Sequence, residues 1–160
     1  MTKVGIGYDV HQLKKGEQLY IGGIHISSNV GSVGHSDGDA LSHSIADALL
    51  GAAGLGDIGK FFPSEDDTWK DVRSTFFLEN VAQKIKESGF LINNIDATII
   101  LQEPKIGYYI EKIKLNLATT MDLDHSNINI KATTTDKMGA IGEGLGWGAM
   151  AIVSIIKKSL

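Results

Sequence analysis

The 160-residue sequence contains no cysteine. That excludes disulfides, cysteine-bound zinc and thiolate nucleophiles, and it leaves the redox compartment open. Prolines number only 2 against 19 glycines, so rigid breaks are few and places for close backbone approach are many. No apolar run is long enough to span a bilayer; the longest, near the C-terminus, is interrupted by Gly and Ser. A charged-then-apolar leader is also missing before the strand-like residues that begin at Lys3, so a cytoplasmic location and no membrane partner are expected. Cationic excess is lacking as well: Lys plus Arg total 15 and Asp plus Glu 19, a net charge of −4. Nucleic-acid affinity comes mainly from neutralising phosphates, so no nucleic-acid partner is expected. Any phosphate handled here needs metal ions, a few placed cations or backbone N–H groups. What is present is globular: 42% apolar and 21% charged residues exclude disorder, and the length suits a single domain over 1–160.

Periodicity predicts strands at Lys3 to Val10, Gln18 to Ile26 (bent at Gly22-Gly23, beside the first), Ile95 to Gln102 and Ile128 to Thr134. Ser27 to Gly38 reads as a loop. A capping pattern at Ser36 and Asp39, with Ser36 or Asp37 as the capping residue, starts a helix to about Ala53 whose buried stripe is Leu41, Ile45, Ala48 and Leu49. Gly54 to Lys70 is irregular, and a helix follows over Arg73 to Ser88, closed by Gly89. Pro104 suits the first turn of a helix carrying Ile106, Ile110, Ile113 and Leu117. The Gly- and Ala-rich segment Leu145 to Lys158 reads as a last helix. Strands alternating with helices give the fold class α/β (α+β): one mixed sheet with helices packed on it.

Asp9 and His11 stand two apart on a strand and point to one face. Asp39, His43 and Asp47 are spaced by four and form one polar stripe on the first helix. Asp9, His11 and His43 together offer one oxygen and two imidazoles, the ligand set of a catalytic zinc with an open position, or of ferrous iron in a two-His, one-carboxylate triad. A flanking carboxylate could orient such an imidazole. Gly34-His35-Ser36-Asp37-Gly38-Asp39 enters a helix N-terminus, where N–H groups suit phosphate or simply need a cap. Lys131-Ala132-Thr133-Thr134-Thr135-Asp136-Lys137 places hydroxyls at a strand end, with Asp136 available to Mg²⁺; a polar turn explains it equally. Asp57 between Gly56 and Gly59, and Lys105 in Gln102-Glu103-Pro104-Lys105, are weaker signals of the same kind.

In order and spacing, Gly7-Tyr8-Asp9-Val10-His11, Gly34 to Asp39, Asp57-Ile58-Gly59 and Lys131 to Lys137 resemble the 2-C-methyl-D-erythritol 2,4-cyclodiphosphate synthase family over Lys3 to Lys158. The resemblance implies a lyase of the non-mevalonate isoprenoid pathway. It converts 4-diphosphocytidyl-2-C-methyl-D-erythritol 2-phosphate to the cyclic 2,4-diphosphate and CMP. It implies one zinc per subunit on Asp9, His11 and His43, and Mg²⁺ or Mn²⁺ on Asp136. His35 and Thr134 take the catalytic positions that stabilise the transition state. Asp9, His11, His35, Ser36, Asp57, Ile58 and Gly59 fall at substrate contacts, and Phe62, Pro63, Ser64, Glu65 and Asp66 in a covering loop. Leu101, Lys105, Ile106, Gly107, Ala132, Thr133, Thr134, Thr135 and Asp136 fall at the cytidine-diphosphate pocket. The family implies ferredoxin-like βαβ elements and a homotrimer with active sites between subunits.

Three positions depart from the family pattern. Glu143 stands where many members carry Arg, Asp136 where Glu is common, and Ser64 where some members are acidic. An iron oxygenase, a zinc phosphohydrolase and a non-catalytic nucleotide-binding module are the competing readings of the same residues.

Overall fold

The computed structural model describes residues 1–63 and 65–158, so the expectation for Ser64 lies outside the described residues. The first strand, β1 (Thr2–Lys15), alternates: Lys3, Gly5, Gly7, Asp9, His11 and Leu13 face inward, while Val4, Ile6, Tyr8 and Val10 face out. It runs five residues past the expected end at Val10 because its far end pairs with β4, given below.

The stretch Gln18 to Ile26 is a hairpin of two short strands, β2 (Leu19–Ile21) and β3 (Ile24–Ile26), forming a sheet of its own, and not one bent strand beside β1. The reason is Gly22-Gly23: φ is +57° and +74°, which suits a two-residue reversal and not a bulge. Inside the expected loop Ser27 to Gly38 lies β4 (Val30–Val33), paired antiparallel with β1 from Gln12↔Val33 to Lys15↔Val30. Its Gly31 and Ser32 are buried, so hydrophobic periodicity gave no sign of it.

Helix α1 (Ala40–Ala53) buries Leu41, Ile45, Ala48 and Leu49 completely, as the periodicity predicts. Its cap is Asp39, not Ser36 or Asp37: the Asp39 carboxylate accepts from the Ser42 N–H, and also from Gly22 N–H and Gly23 N–H of the hairpin turn. The segment read as irregular holds α2 (Ile58–Phe61), capped by Asp57, and a single 3₁₀ turn at Asp67–Trp69. Helix α3 (Ser74–Glu87) is followed by Gly89 with φ +80°.

Strand β5 (Phe90–Ile100) begins five residues before the expected Ile95, across a register shift between Ile92 and Asn94 where polar residues hide the pattern. Residues 102–106 form a turn with a cis Glu103–Pro104 bond, and Gly107–Tyr109 make a 3₁₀ turn, so α4 (Ile110–Thr120) starts later than Pro104. Ile106 is buried, but from the turn that precedes the helix and not from the helix itself. Strand β6 (Ile128–Thr133) leads to the single turn α5 (Gly139–Gly142).

The expected last helix is instead strand β7 (Gly146–Lys157), the centre of the sheet. Trp147, Ala149, Ala151, Val153 and Ile155 are buried in alternation with exposed Met150 and Ile152, a period of two. The small residues that resemble a helix composition are there because α1 packs on this strand.

The main sheet runs β4-β1-β7-β5-β6. Strands β1 and β5 are both antiparallel to β7, and β5 pairs parallel with β6 across α4, so βαβ elements are present in a mixed α+β sheet. Helices α1, α3 and α4 cover one face, whereas Ile6, Tyr8, Met150 and Ile152 stay exposed on the other. Among the described residues no helix is long and apolar enough to cross a membrane.

Candidate metal centre

The site begins with two missing side chains. A Cβ on Gly7 would lie 1.9 Å from the Ser44 carbonyl oxygen, and one on Gly5 2.0 Å from that of Ala48. Without them α1 lies directly against β1, and His43 reaches the inward face two residues further along the strand. There His43 Nδ1 stands 3.0 Å from Asp9 Oδ2, His11 Nε2 stands 2.9 Å from the same oxygen, and the two ring nitrogens are 3.4 Å apart. Bonds of about 2.0–2.1 Å to one ion set its ligand atoms roughly 3 Å apart, so the three donors fit a single small divalent cation.

The remaining ring nitrogens have partners of their own. His11 Nδ1 donates to the Val33 carbonyl at 3.1 Å, which leaves Nε2 as the nitrogen turned toward the site, hydrogen-bonded to Asp9 when no cation is bound and a lone-pair donor when one is. His43 Nε2 faces the Ser74 hydroxyl at 2.8 Å, which leaves Nδ1 free in the same way. Burial opposes ionisation of Asp9, but the hydrogen bonds from His11 and His43 outweigh it and hold the carboxyl well below the usual range. For His11 burial works against the charged form, and the hydrogen bond and negative charge of Asp9 outweigh it, raising its pKa. The triad is therefore an anionic oxygen flanked by two imidazoles, a set of donors that attracts a cation.

Of Asp39, His43 and Asp47, which share one stripe of α1, each has a different role. His43 faces the site, Asp39 is fully buried as the cap, and Asp47 accepts from the Ile58 N–H at 2.7 Å and so ties α2 to α1. That bond brings Ile58 and Gly59 into a cleft of about 260 Å³ with Asp9, His11, His35, Ser36, His43 and Phe62. Trp69 and Phe77 complete its wall and were not anticipated. The ring of Phe62 meets Trp69 edge-on at 5.1 Å and Phe77 at 4.7 Å, an aromatic cluster whose members are spread over three elements.

His35 Nε2 stands 3.4 Å from the Asp66 carbonyl, linking the loop before α1 to the turn after Pro63. Asp57 is exposed and spends one oxygen on the Lys60 N–H; neither it nor Pro63, Glu65 or Asp66 lines the cleft.

The second group of expected residues sits elsewhere on the subunit. Asp9, Ala149, Ile99 and Ala132 lie in one row across the sheet, three strand spacings from end to end. At about 4.8 Å per strand, Ala132 is roughly 14 Å from Asp9. Leu101 joins this group through its N–H to the Thr133 carbonyl. None of Leu101, Lys105, Ile106, Gly107, Ala132, Thr133, Thr134, Thr135 or Asp136 lines the Asp9 cleft. Thr134 Oγ1 and Asp136 Oδ1 stand 3.4 Å apart in an exposed loop where Asp136 has φ +51°. Glu143, just after α5, is exposed.

The YgbB family profile matches residues 2–156. The 2-C-methyl-D-erythritol 2,4-cyclodiphosphate synthase of Alkaliphilus oremlandii is 50% identical over 97% of this chain and 99% of its own. Among solved structures, the bifunctional IspDF of Campylobacter jejuni superposes with a TM-score of 0.95 at 40% identity, over 98% of this chain and 42% of that one. The CDP complex of IspF from Plasmodium falciparum superposes with a TM-score of 0.87 at 36% identity, over 99% of this chain and 97% of that one. With nearly the whole chain matched at this level of identity, it belongs to the YgbB family of 2-C-methyl-D-erythritol 2,4-cyclodiphosphate synthases, lyases of isoprenoid biosynthesis.

Proposed function

We propose that residues 1–160 act as one metal-dependent synthase domain that converts 4-diphosphocytidyl-2-C-methyl-D-erythritol 2-phosphate to the cyclic 2,4-diphosphate and CMP. The observation that carries this reading is the meeting of Asp9, His11 and His43 within 3.4 Å. In the reaction an oxygen of the substrate's 2-phosphate bonds to the β-phosphorus, and the bond from that phosphorus to the oxygen shared with CMP breaks. No protein nucleophile is needed. Because attacker and target belong to one molecule, holding them aligned supplies roughly 7–11 kcal/mol of barrier reduction. Zinc on the triad and Mg²⁺ or Mn²⁺ on Asp136 would supply the positive charge that offsets phosphate repulsion in a chain of net charge −4.

The chain's own residues do the rest. His35 and Thr134 stabilise charge on the transferring phosphoryl group. Ser36 and the α2 backbone at Ile58 and Gly59, with Asp57, orient the methylerythritol end. Phe62, Pro63, Ser64, Glu65 and Asp66 cover it and exclude water. Leu101, Lys105, Ile106, Gly107 and Ala132 to Asp136 receive the cytidine diphosphate; the CDP complex of the Plasmodium falciparum relative supports a cytidine nucleotide as ligand.

The chain works as a homotrimer whose sites lie between subunits. Two observations support this. The cytidine group is some 14 Å from the metal triad within one subunit, as the strand spacing sets it. The helix-free sheet face exposes Val4, Ile6, Tyr8, Val10, Met150 and Ile152, an apolar patch suited to burial against further copies.

Phosphorus NMR of the proposed substrate, with and without a chelator, tests the reading. A cyclic diphosphate and CMP that both disappear on chelation are expected. CMP with only linear phosphate products would make the chain a phosphohydrolase, and unchanged turnover in chelator would overturn the metal assignment.

A further inference from the structure

We propose that Ser74 is a positioning residue for the metal site, relaying the Asp37 carboxylate to the imidazole of His43. The inference rests on the metal reading above and adds to it a residue outside the ligand set.

His43 turns Nδ1 toward Asp9 and His11, so a cation can use that nitrogen only if the ring proton is on Nε2. Nε2 lies 2.8 Å from Ser74 Oγ, and Ser74 Oγ is in turn hydrogen-bonded to Asp37 Oδ1. A carboxylate only accepts, so the hydroxyl proton of Ser74 goes to Asp37 and its lone pair faces His43. The chain therefore has one direction: Nε2–H donates to Ser74 Oγ, and Ser74 O–H donates to Asp37. Each link places the next proton where the ligand tautomer requires it.

The relay is rigid. Ser74 is 1% exposed, and Asp37 Oδ2 also accepts from the Ser74 N–H at 3.0 Å, so one carboxylate holds both the backbone and the hydroxyl of the first residue of α3. Arg73 at the cap position of α3 offers no side-chain cap, so that role falls to Asp37, 37 residues before Ser74 in the chain. The Ser36 hydroxyl is a longer contact to the same Nε2, at 3.4 Å. His11 is oriented differently, by a backbone carbonyl, so only one of the two imidazoles depends on side chains that can be exchanged.

Ser74→Ala separates positioning from structure, because it deletes the hydroxyl and keeps the N–H that Asp37 caps. Zinc affinity is measured by competition with a chromogenic chelator, beside thermal melting of the metal-free proteins. Loss of a partner that orients a metal-bound imidazole weakens binding roughly 10- to 100-fold. S74A is expected to show that loss with a metal-free melting curve close to wild type. Asp37→Asn keeps an oxygen for the Ser74 N–H but not the direction of the relay, and is expected to weaken zinc as well. In long-range ¹H–¹⁵N spectra of the zinc-loaded wild type, the His43 Nε2 proton should exchange slowly, and in S74A faster. Zinc bound by S74A within twofold of wild type overturns the relay alone. A wild-type chain that takes up no zinc overturns the metal reading and the relay with it.

Discussion

Gly7 faces Ser44 so closely that any β-carbon at position 7 would lie 1.9 Å from the Ser44 carbonyl oxygen. The obstacle is helix backbone and cannot swing aside as a side-chain tip would. Gly7→Ala therefore pushes α1 away from β1, and His43, one residue before Ser44, leaves Asp9 with it. Overpacking costs about 1–3 kcal/mol in ordinary cores, and at least that is expected here in urea denaturation. The same variant should bind zinc less tightly, which isothermal titration would read; wild-type affinity would show that the close contact is not what sets the site.

Metal removal has a stability signature. A ligand present at 100 times its dissociation constant stabilises the folded state by about 2.7 kcal/mol. Zinc at that excess should raise the melting temperature of the wild-type chain and leave His43→Ala unmoved. The H43A fold itself should persist, since His43 is only partly buried and packs at the cleft and not in the core. An equal rise in both proteins would place the zinc elsewhere.

Asp39 joins two parts of the chain: it caps α1 at Ser42 and receives both N–H groups of the Gly22-Gly23 turn. Burial, with the Asp37 carboxylate nearby, pushes its pKa up against the pull of those donors. Asp39→Ala removes a cap worth about 1 kcal/mol and strands buried donors at about 1–3 kcal/mol apiece. A total loss of about 3–7 kcal/mol is expected in urea melts; a loss under about 0.5 kcal/mol, the size of a surface change, would mean that water replaces the carboxylate.

Asp96 supplies the pH dependence. The Lys131 ammonium, 2.6 Å away, and the Asn129 amide hold its carboxyl below the ordinary value of 3.8. A carboxylate whose folded pKa is depressed contributes stability above its unfolded pKa and loses it as pH falls through the folded one. The stabilisation is thus full at neutral pH and fades below about pH 4. Because the pair is half-exposed, under about 1 kcal/mol is at stake, and salt screens it. Asp96→Asn should be less stable than wild type at pH 7, with the gap closing toward pH 2; a constant gap would point to packing instead of charge.

These features differ in how openly the sequence displays them. Asp9 and His11 share a face because strand geometry puts residues two apart on one side, and the α1 stripe follows from helical spacing. Both are local rules, legible without a fold. The identity of β7 was not legible, since its Gly and Ala content reflects a neighbour's proximity, and the alternation of Trp147, Ala149, Ala151, Val153 and Ile155 declares itself only once α1 covers one side. Gly5 and Gly7 carry the same lesson: an absent side chain signals nothing until the helix that needs the space is known. Ser74, Trp69 and Phe77 come from the far side of a long connection and meet the site only by tertiary packing.

The amino-acid order alone thus determined which chemistry is available: one carboxylate and two imidazoles on amphipathic elements, in a chain without thiols and poor in positive charge. Three-dimensional packing decided where that chemistry acts. It brought His43 to Asp9 across 34 residues, and it left the Thr-rich loop three strands away. The physical reason is reach: local periodicity governs a few neighbouring residues, whereas the placing of a ligand set depends on how closely distant backbones can approach.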